Sequence, residues 1–291
     1  MLIKENSSIL IPIDFSKQSL IAIEQSYNLA KFTKSKIIVM HASPNSNTEH
    51  QKELEEIVHK VTKESGLQVE YLNLKGDIYE LIDKKAEELG CGLIVIGLDT
   101  QVRFRSFLGS TNVSKFIKNA PCPAITMRSI DNRNSCSNIL MPIDLSAQSR
   151  EKVGIAVQLA KYYNATIRIV SVFSPSDEKY ENELLPYLNQ VKKYIKDRGV
   201  NCTNKSIPSN SPSDAIVAYA NNNDCDLIIL MSKKDLTIGE MFGGEVSLKI
   251  VETSNVPVLS VNPMKRVSLS SGIHYSTISS LSIIKSPSCL I

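Results

Sequence analysis

The 291-residue chain has no tryptophan, and aromatic residues are only 6% of it. Its cores must therefore be built from Ile, Leu, Val and Ala side chains. Its six cysteines, Cys91, Cys122, Cys136, Cys202, Cys225 and Cys289, never fall at C-x-x-C spacing, and His41, His50, His59 and His274 do not cluster with them. That spacing argues against a zinc site and against a thioredoxin-type redox motif. The thiols read instead as small buried hydrophobes in a reducing compartment. An excess of one charge is also missing: 33 Lys+Arg stand against 30 Asp+Glu, for a net charge of +3. So near a balance disfavours a nucleic-acid or polybasic membrane partner. The apolar runs reach four to six residues, well below the ~20 that a bilayer span requires. The segment from Met1 to Asn6 shows no cleavable signal pattern, so the expected location is cytoplasmic. No G-x-x-x-x-G-K-[ST] loop occurs, no G-x-G-x-x-G follows the first strand, and no G-x-S-x-G elbow is present. A P-loop NTPase, a dinucleotide Rossmann site and an α/β-hydrolase are thereby disfavoured.

What the chain does contain is an internal repeat. Residues 9–19, ILIPIDFSKQS, and residues 139–149, ILMPIDLSAQS, agree at eight of eleven positions. Leu29-Ala-Lys returns as Leu159-Ala-Lys, Leu93-Ile-Val-Ile as Leu227-Ile-Ile-Leu, and Pro121–Met127 as Asn255–Val261. The offset is 130 residues at the start and 134 at the end. That period is too long for a solenoid unit and equals a whole domain. The expected division is domain 1 over 1–128, a polar linker over 129–138, domain 2 over 139–263 and a Ser-rich tail over 264–291 that reads as flexible.

Within the first copy, apolar runs alternate with helical patterns. Strands are expected at Ile9–Ile13, Ile37–Met40, Val69–Leu72, Leu93–Ile96 and Ala124–Met127. A helix capped by Ser16 or Ser19 runs to about Phe32, with Leu20, Ile23 and Tyr27 on its apolar stripe. Further helices are expected at about 50–65, from Ile78 to Leu89 with Gly90 as the stop, and from Ser110 to about Asn119. Alternating strands and helices imply a parallel sheet covered on both faces. In such sheets ligands bind beyond the carboxyl ends of the strands, where Asp14, His41-Ala42 and Gly97 fall.

Two features at those ends suit a nucleotide. Gly109-Ser110 opens a helix after a glycine-bounded loop, and a helix N-terminus offers free N–H groups and partial positive charge to a phosphate. Asp14 can accept a hydrogen bond from an adenine amino group or a ribose hydroxyl. Each also has a purely structural reading, as a turn glycine with an ordinary cap and as a cap for the first helix. His41 reads either as a pocket wall or as a structural strand-end residue.

The I-L-x-P-I-D-x-S start, Gly76-Asp77, Leu93-Ile-Val-Ile-Gly97 and Gly109-Ser110 followed by N-A-P-C-P-A-I-T-M resemble the universal stress protein family. The resemblance covers about 7–128 and 136–262, a tandem member. It implies two five-stranded parallel α/β sandwiches similar to the adenine-nucleotide α-hydrolases. It also implies pairing of the two halves through their last strands, Ala124–Met127 against Val258–Val261, and is compatible with a homodimer. The family's ATP-binding members share G-x2-G-x9-G-[ST]. Here Gly97 and Gly109-Ser110 match its ends, Thr100 stands at the second glycine, and the loop is one residue shorter. By resemblance Pro12, Ile13 and Asp14, with Ala42 and Ile96, line the adenine and ribose. Gly97, Thr100, Gly109, Ser110, Thr111 and Asn112 surround the phosphates of ATP, with Mg²⁺ as its companion. Arg103 and Arg105 lie in the same loop, as phosphate contacts or solvated charges.

The second copy departs further: Met231 replaces the first glycine, Lys234 the second, and Gly243-Gly244 the Gly-Ser pair. The simplest reading is a second site decayed into scaffold. No general base, arginine finger or Mg²⁺ ligand set is legible, so the expected activity is binding without efficient turnover. The alternative is a ligand-free interaction scaffold whose two domains form a pseudo-dimer. A hydrolase acting on adenylated intermediates would need a glycine loop after the first strand, which Phe15–Ser19 does not supply.

Overall fold

A computed structural model describes residues 3–45, 48, 50–98, 116–117, 119–128, 135–146, 148–176, 178–232 and 244–262, with Tyr79 and residues 178–181 described in the backbone alone. Of the residues singled out above, Thr100, Arg103, Arg105, Gly109, Ser110, Thr111, Asn112, Lys234 and Gly243 lie outside this set, as do the expected tail and most of the expected linker.

The first half runs β1 (Ser8–Pro12), α1 (Lys17–Thr33), β2 (Lys36–Ser43), α2 (Gln51–Ser65), β3 (Val69–Lys75), α3 (Ile78–Glu88), β4 (Leu93–Gly97) and β5 (Ala124–Met127). The second runs β6 (Asn138–Pro142), a 3-10 turn at Gln148–Arg150, α4 (Glu151–Tyr163), β7 (Thr166–Phe173), α5 (Glu178–Lys196), β8 (Cys202–Pro208), α6 (Pro212–Asn222), β9 (Leu227–Met231), α7 (Gly244–Thr253) and β10 (Val258–Val261). The strands form one ten-stranded sheet in the order β3-β2-β1-β4-β5-β10-β9-β6-β7-β8. Pairing is parallel within each half. It is antiparallel at the centre, where Val258 lies opposite Thr126, Leu259 opposite Ile125 and Ser260 opposite Ala124.

Both faces of this sheet are covered, and the sequence shows why. Every residue of β1 and of β4 is buried, as a parallel sheet between helical layers requires. Successive side chains point to opposite faces. Ile9 and Ile11 pack with Ala22, Ile23 and Leu29 of α1, whereas Leu10 packs with Ile38, Ile78 and Ile82 on the other side. The α1-side core continues without a break into the second half through Ile125, Met127, Leu159 and Leu227.

Several boundaries differ from expectation. Ser16, not Ser19, caps α1: its side chain accepts the Ser19 N–H at 3.2 Å. Ile23 is buried and Tyr27 packs against the core as expected, but Leu20 faces outward at 36% exposure and Ile21 is buried in its stead. β2 continues to Ser43 and β3 to Lys75, because the two strands stay paired as far as Ser43 opposite Lys75. His41 and Ala42 are thus ladder residues of β2 and do not come after it.

Candidate functional site

At the carboxyl ends of β1, β2 and β4, the first half assembles Pro12, Ala42, Ile96 and Gly97 from the strands themselves and Ile13 and Asp14 just after β1. Pro12, Ile13, Ala42, Ile96 and Gly97 are buried, while Asp14 is half-buried. The turn after β1 is held from two sides. The Ile13 N–H donates to the Met40 carbonyl at 2.8 Å. His41 Nδ1 lies 3.0 Å from the Ile13 carbonyl; a carbonyl only accepts, so Nδ1 carries the proton of that bond. His41 therefore braces the turn that presents Asp14, and its ring packs against Phe15 with centroids 4.9 Å apart. Phe15 holds φ at +63°, a conformation that a bulky L-residue adopts only under tertiary constraint. His50, hydrogen-bonded to Glu53, completes a three-ring cluster, 4.8 Å from Phe15 and 5.3 Å from His41 between centroids.

Asp14 Oδ1 accepts from the Ser16 backbone N–H at 3.1 Å and from the Ser16 hydroxyl at 2.6 Å. That carboxylate thus aligns the cap of α1, and its half-buried position leaves it facing the crevice. Gly76-Asp77 is accounted for locally. Gly76 takes φ +139°, and Asp77 Oδ1 accepts the Glu80 N–H at 3.3 Å in the first turn of α3.

Gly97 has a packing reason that its motif position alone did not disclose. A Cβ there would lie 2.2 Å from the Gln18 carbonyl oxygen and 2.6 Å from the Ser19 nitrogen, both backbone atoms of α1. The absent side chain lets the first turn of α1 close over the end of β4.

The second half shows the consequence of losing that glycine. Met231 stands at the place of Gly97 and is buried. The matching helix opens later: Gln148–Arg150 form a 3-10 turn and α4 starts only at Glu151. Met231 and Ser149 of that turn line one small cavity. Asp144 repeats the bonds of Asp14, accepting from the Ser146 N–H at 3.1 Å and the Ser146 hydroxyl at 2.5 Å. Its own N–H donates to Ser149 Oγ at 3.2 Å. Yet Asp144 is 1% exposed, and Lys152, 3% exposed, lines the same small cavity with Met231 and Ser247. Sequence reading missed Lys152. Its signal was slight: Lys152 falls at the place of Ala22, but residues 150–158 share no identity with residues 20–28, so the exchange does not stand out from its surroundings.

The architecture defines a duplicated parallel α/β sandwich, with a half-buried carboxylate at the end of β1 and a buried one at the matching place after β6. The profile of the universal stress protein family matches residues 5–128 and again 136–262. The chain belongs to the universal stress protein family, as a tandem member. A universal stress protein of Methanocaldococcus jannaschii is 25% identical over 150 residues, covering 47% of this chain and 88% of that one. Among solved structures, a universal stress protein from Archaeoglobus fulgidus superposes with a TM-score of 0.72 at 16% identity, covering 91% of this chain and 99% of the other. A functionally unknown protein from Pseudomonas aeruginosa gives a TM-score of 0.67 at 18% identity over 89% of this chain and 93% of its own. At these identities the superpositions show the fold alone.

Proposed function

We propose that the first half binds an adenine nucleotide, ATP as the expected form, and that the protein works by ligand-biased conformation or partner choice in a cytoplasmic stress response. The carrying observation is the contrast between Asp14, half-buried at the end of β1, and Asp144, 1% exposed at the matching place with Met231 and Lys152 lining the small cavity beside it. Pro12, Ile13 and Asp14 take the base and ribose, beside Ala42 and Ile96. Gly97, Thr100, Gly109, Ser110, Thr111 and Asn112 take the phosphates. The donor set fits such a ligand in kind: a carboxylate for hydroxyl or amino donors, an apolar floor, and glycines where backbone must approach a phosphate. Among the described residues no cluster of three metal-ligating side chains occurs. Mg²⁺ accompanying ATP is therefore held mainly by the phosphates themselves. The one carboxylate among the binding groups, Asp14, is engaged by the Ser16 N–H and hydroxyl as a cap, a binding role that needs no turnover.

The test is to denature freshly purified protein and identify what it releases, with Gly109→Val, Asp14→Ala and Asp144→Ala alongside. The expected result is adenine nucleotide near one per chain, lost in Gly109→Val, reduced in Asp14→Ala and retained in Asp144→Ala. Absence of nucleotide, together with no uptake of added ATP and Mg²⁺, overturns the proposal. The scaffold reading would then stand, supported by the continuous sheet that joins the halves.

A further inference from the structure

Two thiols well separated in the sequence, Cys91 and Cys122, come together in the fold. β4 opens at Leu93 and β5 at Ala124, so each cysteine stands two residues ahead of its strand. The two strands are parallel neighbours with Ile94 opposite Ala124, and the Ile94 N–H donates to the Pro123 carbonyl at 3.0 Å. Their amino ends are thus nearly level. Neighbouring strands lie about 4.8 Å apart, within the Cα separation of about 4.4–6.8 Å that a disulfide bridges. Both side chains enter one core cluster, with Ala86 of α3 and with Ile94, Ala120 and Ala124. The nucleotide crevice lies at the other, carboxyl end of these strands and uses neither thiol.

The second half supplies a contrast. Cys136 and Cys225 also stand two residues ahead of parallel neighbours, β6 and β9. Yet Cys136 belongs to the core on the α1–α4 side and Cys225 to the core on the opposite face. Level strand ends alone do not make a pair; the two thiols must also share a face, as Cys91 and Cys122 do.

Reactivity follows from cover and charge. Burial pushes the Cys91 thiol up to about 11. It pushes Cys122 up to about 12, and a charge on Cys91 adds to that rise. Both are therefore protonated at neutral pH and oxidise slowly. Cys91 is the readier of the two, because the Lys36 ammonium partly offsets its burial. The cover is thin: Cys91 and Cys122 keep 7% and 8% exposure, and the adjoining Gly90 and Pro121 are exposed. Hydrogen peroxide is uncharged and little larger than water. A local opening at these strand ends admits it, whereas bulkier reagents wait for unfolding.

We infer that Cys91 and Cys122 form a peroxide-responsive dithiol that closes to an intramolecular disulfide under sustained oxidant. The Cys91 sulfur attacks one peroxide oxygen and the O–O bond breaks. The thiol proton joins the departing hydroxide as water, and Cys91 is left as a sulfenic acid. The Cys122 sulfur then attacks the sulfenic sulfur, and its proton leaves with the sulfenic hydroxyl as a second water. Two thiols and one peroxide thus give one disulfide and two waters. The link ties β4 to β5 within the first half, and a thiol reductant reverses it.

The test treats the folded full chain with hydrogen peroxide near neutral pH, digests it without reductant and maps the peptides by mass spectrometry. The expected product joins the Cys91 and Cys122 peptides with the loss of two hydrogens. It should exceed any Cys136–Cys225 product at least tenfold, and dithiothreitol should reverse it. Cys122→Ser should abolish it. A folded chain that gives no Cys91–Cys122 link, that joins Cys136 to Cys225 as readily, or that forms the link only when urea unfolds it overturns the proposal. If Cys122→Ser fails to fold, the peptide map of the unaltered chain decides. No step of this test involves ATP, so its outcome is independent of the nucleotide proposal.

Discussion

At the scale of single residues, the two halves show how one side chain decides what its neighbours do. Gly97 and Met231 occupy matching positions, and the backbone of α1 lies where the Gly97 Cβ would be. Gly97→Ala should therefore force α1 from the end of β4. Such overpacking costs about 1–3 kcal/mol, so the urea midpoint should fall with an unchanged m-value, and nucleotide retention should fall with it. A variant as stable as the parent would mean that α1 has slack the contact distances do not suggest. Asp14 and Asp144 extend the lesson. Their local hydrogen bonds are nearly identical, as the repeated P-I-D-x-S predicts. Their exposure differs because of residues eight and some ninety positions away, at 152 and 231. The local motif alone presents two equal sites.

At the scale of elements, the order of strands and helices was legible in the apolar runs, and β1, β4 and β5 fell close to expectation. The ends of β2 and β3 were not. They depend on how long two strands stay paired, and His41 and Ala42 carry no local signal for that. The delayed start of α4 is a second case, since residues 148–149 copy residues 18–19 in sequence but not in conformation. A double variant, Met231→Gly with Lys152→Ala, tests the cause by restoring what the first half has at both places. Hydrogen exchange should then show slower amides over Gln148–Arg150, as a 3-10 turn is replaced by helical bonds. Unchanged exchange there would place the cause within the turn's own sequence. The candidate phosphate loop was legible only through its glycines and through family resemblance. Periodicity says little about a loop, which has no repeating pattern of burial to reveal it.

At the scale of the whole molecule, the question is whether one continuous sheet behaves as one cooperative unit. Three facing residue pairs join β5 to β10, a short ladder, but one cluster of buried residues on the α1–α4 side spans both halves. Tyr162 of α4 adds a stack on Phe32 at 4.1 Å and donates its hydroxyl to the Asn28 carbonyl at 2.9 Å. The buried cysteines report on this from both halves. Burial raises the thiols of Cys91 and Cys225 to about 11 and those of Cys122 and Cys136 to about 12, from an ordinary 9.0. Folding thus favours the protonated thiol. The associated stability is complete below pH 9, where unfolded thiols are also protonated, and is lost as pH rises through about 11–12. Urea midpoints should accordingly hold up to about pH 9 and fall beyond it. Near neutral pH the same burial makes alkylation wait for unfolding. Pulsed alkylation followed by mass spectrometry should then label Cys91 and Cys122 of the first half at the same rate as Cys136 and Cys225 of the second, and Ile125→Asp at the seam should split that single rate into two. Two rates in the unaltered chain would show instead that the halves open independently, with the seam no stronger than an ordinary contact between domains.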